Sequence, residues 1–482
     1  MLVEIAQNNP QASLVDQLFV LLSGRIQSAQ LGPGTKLPSV RALAADCEVS
    51  ADTVARAYER LVARGFVEAR RGSGYYVRAT SRTSSSFSSK KPALSGPMAY
   101  GTTRWRSLLV KPDPSLASRT GSGSFPESWQ DEEILSSALR AVSRQGARSL
   151  AQYSDLRGYL PLRQQLKVHL QELGIHTEPD NILVTQGAME AQHLVAQTLL
   201  CGTRVPVLLE SPCTPLLIDR MLSTGMELYL VPRRADGPDL DVMRELCEKV
   251  KPRAFFCSSV LHNPTCTQIA PHKAFQILRL AEEFNFFIVE DDTYADLMPK
   301  AASAPISRLA TLDQLKRVIY VGSFSKTLAP GLRMGFLTAS SERMDWLTTY
   351  RVVQSVSGSA LSERVLYKAL SGGDYRRHCE HLRNRLAEAR VAVLAELRKW
   401  GLTISEPPEA GMFLWVSLGE GVDATQVAER MLEQGHLLAP GPAFSSRAED
   451  RSCLRINIAE AHETSMLPEL AKLLGWTARR GG

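Results

Sequence analysis

The chain has 482 residues, 44% of them hydrophobic and 22% charged, with a formal net charge of +6. That length exceeds one ordinary domain, and the composition is that of a globular protein, which excludes a fibrous, a wholly disordered and a disulfide-stapled chain. No apolar run reaches the roughly 18 residues of a membrane span, so no membrane partner is expected, and the opening stretch MLVEIAQNNPQASLVDQ lacks the basic and apolar blocks of a signal peptide.

The eight cysteines are scattered with no Cys-x-x-Cys pair, which predicts reduced thiols, no metal site and a cytoplasmic protein. Taken in order, Leu14, Leu18, Leu21, Leu22 and Ile26 recur at helical spacing over residues 13–30. Gly32-Pro33-Gly34 stops that helix, and Ser39 reads as the N-cap of a second one carrying Val40, Leu43 and Ala44. A tight turn at Cys47-Glu48-Val49-Ser50 leads to a third helix over 51–64. Val54, Tyr58 and Leu61 share one face of it, while Thr53, Arg56, Arg60 and Arg64 lie off that stripe. Residues 65–69 and 75–77 read as two strands around Arg70-Arg71-Gly72-Ser73-Gly74. Three helices and a hairpin with a basic tip outline a winged helix. From Ser50 to Arg78 six arginines face three acids, so the reading surface is basic.

The stretch Lys36–Val77 resembles the winged helix of GntR-family regulators, through Leu37-Pro38-Ser39-x-Arg41-x-Leu43-Ala44, Val49-Ser50-x-x-Thr53-Val54-x-Arg56-Ala57-Tyr58 and Gly65-Phe66 onward to Gly72-Ser73-Gly74. The resemblance implies double-stranded DNA as a partner, read by Arg41, Thr53 and Arg56, with Arg71 at the wing tip on phosphate. Ala51 and Asp52 stand where many relatives have a basic residue. The domain is placed at 11–79. Residues 80–103, rich in Ser, Thr, Pro and Gly, read as a flexible linker that spans on the order of 25–30 Å.

A second domain is expected over 104–482. A helix is read over 162–173, followed by a strand at 182–185, and Gln186-Gly187-Ala188 opens the next helix, a start that suits an anion. Short apolar runs follow at 205–209, 227–231, 254–258, 287–290, 317–321 and 335–338, separated by helical segments. That alternation argues an α/β fold with a mostly parallel sheet covered by helices. Two long helices within 342–400 and a small C-terminal α+β part complete the reading.

The order Asn263-Pro264, then Asp291-x-x-Tyr294, then Ser323-x-x-Lys326 with Arg333, then Leu454-Arg455-Ile456 resembles the fold-type I aminotransferases, which use pyridoxal 5'-phosphate. The resemblance implies that Lys326 holds the cofactor as a Schiff base and that Asp291 keeps the pyridine nitrogen protonated. It places Tyr294 and Asn263 on the phenolic oxygen, and Ser323, Arg333 and the N–H groups of Ala188 and Met189 on the phosphate. Tyr153 matches a tyrosine that reaches the partner subunit's phosphate, which implies a homodimer, and Arg455 matches the arginine that clamps a carboxylate. Three positions depart from the pattern. Cys266 replaces a glycine, Thr214 stands where an aromatic residue stacks on the ring, and Glu409-Ala410-Gly411 replaces a Gly-Gly pair. Ring stacking that is weaker, or supplied by another segment, and slow transamination are expected from them.

Together the halves resemble the MocR subfamily of GntR regulators, over nearly the whole chain. That implies a transcription regulator whose aminotransferase-like domain senses a small effector, an amino acid, an amine or the cofactor itself. The competing reading is a working aminotransferase with an accessory N-terminal domain.

Overall fold

The computed structural model describes residues 13–27, 30–70, 72–78, 113, 115–146, 151–200, 204–299, 305–402, 404 and 406–476. Contacts divide the chain into two units, one up to Leu94 and one from Ser95 onward. The linker expected over 80–103 and the wing-tip Arg71 lie outside the described residues.

In the first unit α1 (Leu14–Gln27), α2 (Val40–Asp46) and α3 (Ala51–Ala63) precede a hairpin of β1 (Val67–Arg70) and β2 (Gly74–Val77). Serines start both shorter helices: Ser39 Oγ accepts from Ala42 N at 3.2 Å and Ser50 Oγ from Thr53 N at 3.1 Å. Each cap satisfies an amide that the helix itself leaves free. Glu48 takes a left-handed conformation (φ 53°) in the turn between α2 and α3. The hydrophobic stripe of α3 closes a core of Leu18, Leu22, Leu43, Val54, Tyr58, Leu61, Val67 and Val77. Tyr58 is buried, and its hydroxyl donates to Pro38 O at 2.9 Å, so the ring can sit in that core. The first strand starts later than the sequence suggests. Gly65 (φ 75°) closes the end of α3, and its N–H bonds to Val62 O at 3.0 Å.

The larger unit opens with α4 (Glu132–Arg144) and α5 (Leu160–Glu172). Strands and helices then alternate: β3 (Ile182–Thr185), α6 (Ala188–Leu199), β4 (Val205–Ser211), α7 (Pro215–Ser223), β5 (Met226–Arg234), β6 (Gly237–Pro238), α8 (Leu240–Val250), β7 (Ala254–Cys257), α9 (Pro271–Glu283), β8 (Phe287–Asp291), α10 (Leu309–Asp313), β9 (Val318–Ser323) and β10 (Gly335–Thr338). The sheet order is β3-β10-β9-β8-β7-β4-β5-β6. From β9 to β5 every pair is parallel, and β10 runs antiparallel between β3 and β9. Neighbouring residues alternate between the two faces: Phe255, Ile288 and Val318 join one apolar cluster, and Phe256, Val289 and Ile319 the other. A sheet buried on both sides is what continuous apolar runs require.

Three helices occupy the stretch where two long ones were expected: α11 (Ser341–Ser355), α12 (Ala360–Ser371) and α13 (Asp374–Lys399). Val356 (φ 60°) ends α11, and Gly373 (φ 79°) separates α12 from α13. The C-terminal part holds β11 (Phe413–Ser417), α14 (Ala424–Glu433), β12 (Ala439–Pro440), β13 (Cys453–Asn457), α15 (Ile458–Glu463) and α16 (Met466–Leu473). Its sheet is antiparallel, ordered β11-β13-β12. Among the described residues no helix is long and apolar enough to cross a membrane, no cluster of His, Cys, Asp or Glu suits a metal ion, and seven cysteines are free.

Candidate functional site

The parallel strands bring their carboxyl ends to one edge of the sheet, where open α/β folds bind ligands. Asp291 is the last residue of β8 and Ser323 the last of β9, while Asn263 lies in the loop that follows β7. Lys326 follows three residues after Ser323. A Cβ placed on Gly123 would lie 3.5 Å from Lys326 Nζ, so the amine faces the glycine-containing segment before α4. Burial pulls Lys326 down to about 8, helped by the positive charges of Arg455 and Arg333 and opposed by Asp291. A lysine with that proton affinity is partly neutral, and therefore nucleophilic, near neutral pH.

The anion cradle is built from backbone and one arginine. Gly187 adopts φ 87° and caps α6 without any side-chain hydrogen bond, which leaves the first-turn amides of Ala188 and Met189 facing the loop. A Cβ on Gly187 would approach Arg333 Nη2 to 2.9 Å and Ser325 Oγ to 3.6 Å. Arg333, itself left-handed (φ 53°), reaches Gln186 O at 3.0 Å and Ser325 Oγ at 3.5 Å. Ser323 Oγ accepts from Ser325 N at 3.2 Å and lies 3.4 Å from Met334 O. It therefore shapes the loop at least as much as it faces a ligand. Gly335 holds β10 close: a Cβ there would meet the Gly187 backbone at 2.7 Å.

Beside this cradle lies a carboxylate held on both oxygens. Asp291 Oδ1 accepts from Thr293 N at 3.0 Å and Thr293 Oγ1 at 2.5 Å, and Oδ2 accepts from Gln192 Nε2 at 2.7 Å. Burial pushes the Asp291 carboxyl up, and the donors of Thr293 and Gln192 pull it back. Asn263 Nδ2 donates to Tyr294 Oη at 3.3 Å, and burial pushes the Tyr294 phenol up. Arg455 donates to Asn263 Oδ1 at 2.9 Å and to Gly121 O at 2.6 Å. Its guanidinium carbon lies over the rings of both Phe413 (4.4 Å) and Phe444 (4.9 Å). Its Nε is buried without a partner among the described residues, and burial lowers its proton affinity. A cation in that condition attracts a carboxylate.

The structure thus brings Lys326, Asp291, Tyr294, Asn263, Ser323, Arg333, Ala188, Met189 and Arg455 to the strand-end region of one unit. Tyr153 is different: it is 82% exposed and lines a separate open cleft of about 560 Å³ with Ser154, Tyr159 and Arg364. Sequence reasoning missed Gln192, Thr293, Gly123 and the two rings beside Arg455. Thr293 had a signal, since an Asp two residues before a threonine often closes an Asx turn. Cys266, in place of a glycine, takes the left-handed conformation directly (φ 54°), and Gly411 leaves room for it, because a Cβ there would lie 2.6 Å from Cys266 Sγ. Thr214 precedes α7 and makes no side-chain cap bond.

In the first unit Arg41 on α2 and Arg56 on α3 are exposed. Arg56 Nε pairs with Asp52 at 3.0 Å, both side chains being about two-thirds exposed or more. Thr53 is half-buried, with its hydroxyl 2.8 Å from Ser50 Oγ. So α3 carries its own acid beside its central arginine.

Pyridoxal phosphate fits these residues: a helix start with no side-chain cap bond and Arg333 for a dianionic phosphate, an anchored carboxylate for a protonated ring nitrogen, and a deprotonatable lysine for its aldehyde.

Comparison with known proteins agrees. The model of aminotransferase class I and II matches residues 120–474, and that of the bacterial regulatory proteins of the gntR family matches residues 14–77. The chain is 26% identical to the HTH-type transcriptional regulator YisV of Bacillus subtilis, over 92% of each chain. It is 30% identical to the 2-aminoadipate transaminase of Thermus thermophilus, covering 73% of this chain and 87% of that one. Among solved structures it resembles LysN, the α-aminoadipate aminotransferase of Thermus thermophilus complexed with N-(5'-phosphopyridoxyl)-L-leucine, with TM-score 0.68, 26% identity and coverage of 78% and 95%. The chain therefore belongs to the class I and II aminotransferase family, a pyridoxal phosphate-dependent fold, here joined to a GntR-family N-terminal domain in the arrangement of the MocR-type regulators.

Proposed function

We propose that the protein is a cytoplasmic, homodimeric transcription regulator that binds operator DNA through its N-terminal domain. Its larger domain holds pyridoxal phosphate covalently at Lys326 and reads a small effector there, an amino acid, an amine or the cofactor itself. The domains run over 11–79 and 104–482, with a linker between. The observation that carries this reading is a buried lysine with lowered proton affinity beside an anion cradle, in a chain that also has a GntR domain.

Within the larger domain each group has a task. Gly187, the amides of Ala188 and Met189, Ser323 and Arg333 would bind the phosphate. Asp291 would hold a proton on the ring nitrogen, and Asn263 and Tyr294 would orient the phenolic oxygen. Bound there, the cofactor supplies an electrophilic carbon and an electron-withdrawing ring. Arg455 would take the carboxylate of an amino-acid effector, and Tyr153 would reach the partner subunit's phosphate. In the N-terminal domain Arg41, Thr53 and Arg56 would face the operator and Arg71 a phosphate. An effector acts by binding one arrangement of the protein more tightly than another.

The likeness to a 2-aminoadipate transaminase supports a second reading, an active aminotransferase with an accessory DNA-binding domain. Thr214 in place of a ring-stacking aromatic favours the regulator, in which full turnover is not needed. The cofactor assignment is tested by loading the chain with pyridoxal phosphate, reducing with borohydride and mapping the label. Label on Lys326, absent from Lys326→Ala, is expected; label on another lysine would sink the assignment.

A further inference from the structure

The buried face of α6 carries Ala191, Leu194, Val195 and one polar residue, Gln192. Gln192 is 1% exposed. Its Nε2 donates to Asp291 Oδ2 at 2.7 Å, while its Oε1 is buried with no partner among the described residues. The orientation of the amide follows from the acceptor, since an ionised carboxylate only accepts. A buried amide left half-satisfied costs stability that an apolar side chain of the same shape would not. What the amide gains in exchange is the bond to Asp291. The same helix that offers its first-turn amides to the anion cradle presents Gln192 to the carboxylate one turn later. The two ends of the cofactor site are thereby tied to a single rigid element.

Resting on the reading that Asp291 faces the cofactor's ring nitrogen, we propose that Gln192 is a positioning residue that fixes the Asp291 carboxylate and sets its proton affinity, and with it the pH at which the bound cofactor titrates. The two donors of Thr293 hold Oδ1 from the same turn; Gln192 acts on Oδ2 from a different element. The titratable groups that act on Asp291, or feel it, are Asp292 beside it in the chain, Lys326, Tyr294, Cys213 and Cys257. No hydrogen bond joins any of them to Oδ2 among the described residues. A donor to a carboxylate stabilises its anion. Without Gln192 the carboxylate keeps more of the proton it shares with the ring, the ring withdraws fewer electrons, and the Lys326 nitrogen stays protonated to higher pH.

The test is a pH titration of the visible absorption of the full chain loaded with pyridoxal phosphate. Wild type is compared with Gln192→Leu and with Gln192→Met, which keeps the unbranched shape but has no donor. The midpoint is expected to rise by about one pH unit in both variants, the scale of one lost charge-assisted bond, and cofactor affinity to fall a few-fold. Cooperatively melting variants whose midpoints stay within about 0.2 unit of wild type would overturn the proposal. Loss of cooperative melting in both would also overturn it, by making Gln192 a residue of fold stability alone. A wild-type chain with no visible band would instead overturn the cofactor reading, and the proposal with it.

Discussion

At the scale of single residues the site depends on protons and charges. Lys326 must be neutral to attack an aldehyde, and its folded value of about 8 lies below the ordinary 10.5. Borohydride-trapped labelling by pyridoxal phosphate should rise with pH around a midpoint near 8 and move upward in Arg455→Gln, which removes the positive charge that lowers it most. A wild-type midpoint near the ordinary lysine value would contradict the burial argument. The linkage has the same sign. Between pH 8 and 10.5 the unfolded chain holds a proton on this lysine that the folded chain has lost, so the ligand-free protein gains stability across that window as pH rises. On α3, Arg56→Ala should cost about 1–3 kcal/mol on operator and less on random DNA if Arg56 reads a base. Asp52→Ala, which frees Arg56 from an exposed ion pair, should tighten binding to both, because such pairs contribute only about 0–1 kcal/mol to the fold. Competition binding on the two kinds of DNA measures all of this. Lys326, Asp291, Asn263 and Arg455 could be singled out because their motifs stand in an order that resembles the fold-type I aminotransferases. Gln192 was not, since its partner lies 99 residues away and a glutamine in a helix carries no mark of what it will meet.

At the scale of elements, backbone conformation decides what binds. Gly187 lies at φ 87°, where a side chain is strained, and an added Cβ would push on Arg333. Gly187→Ala should therefore raise the dissociation constant for pyridoxal phosphate about 10- to 150-fold, the loss of one charge-assisted contact of roughly 1.5–3 kcal/mol. Isothermal titration with unchanged far-UV dichroism would establish it; unchanged affinity would remove the cradle from the cofactor site. Most strands of the large sheet were legible to within two residues, because runs buried on both faces leave an unbroken apolar signature. The division of residues 341–399 into three helices was not. The break at Val356 is a positive φ at a β-branched residue, and sequence gives no warning of that. Helix α4 escaped notice although Ile134, Ala138 and Val142 are buried along it at helical spacing and Asp131 caps it through Glu133 N at 3.1 Å.

At the scale of the whole molecule the question is whether two units that each resemble a working part act as one device. The partner-reaching role given to Tyr153 requires a dimer, and light scattering of the cofactor-loaded chain should report two copies; a cofactor-binding monomer would contradict that role. The central claim is tested most directly by the affinity of the full chain for DNA upstream of its own gene, measured with and without pyridoxal phosphate and candidate amino acids. Sequence-specific binding is expected, with a dissociation constant that changes when the cofactor or an amino acid is added to wild type and does not change in Lys326→Ala. No specific binding to any sequence, together with transamination in the range of roughly 1–1000 per second usual for enzymes, would contradict that claim and make the protein an aminotransferase.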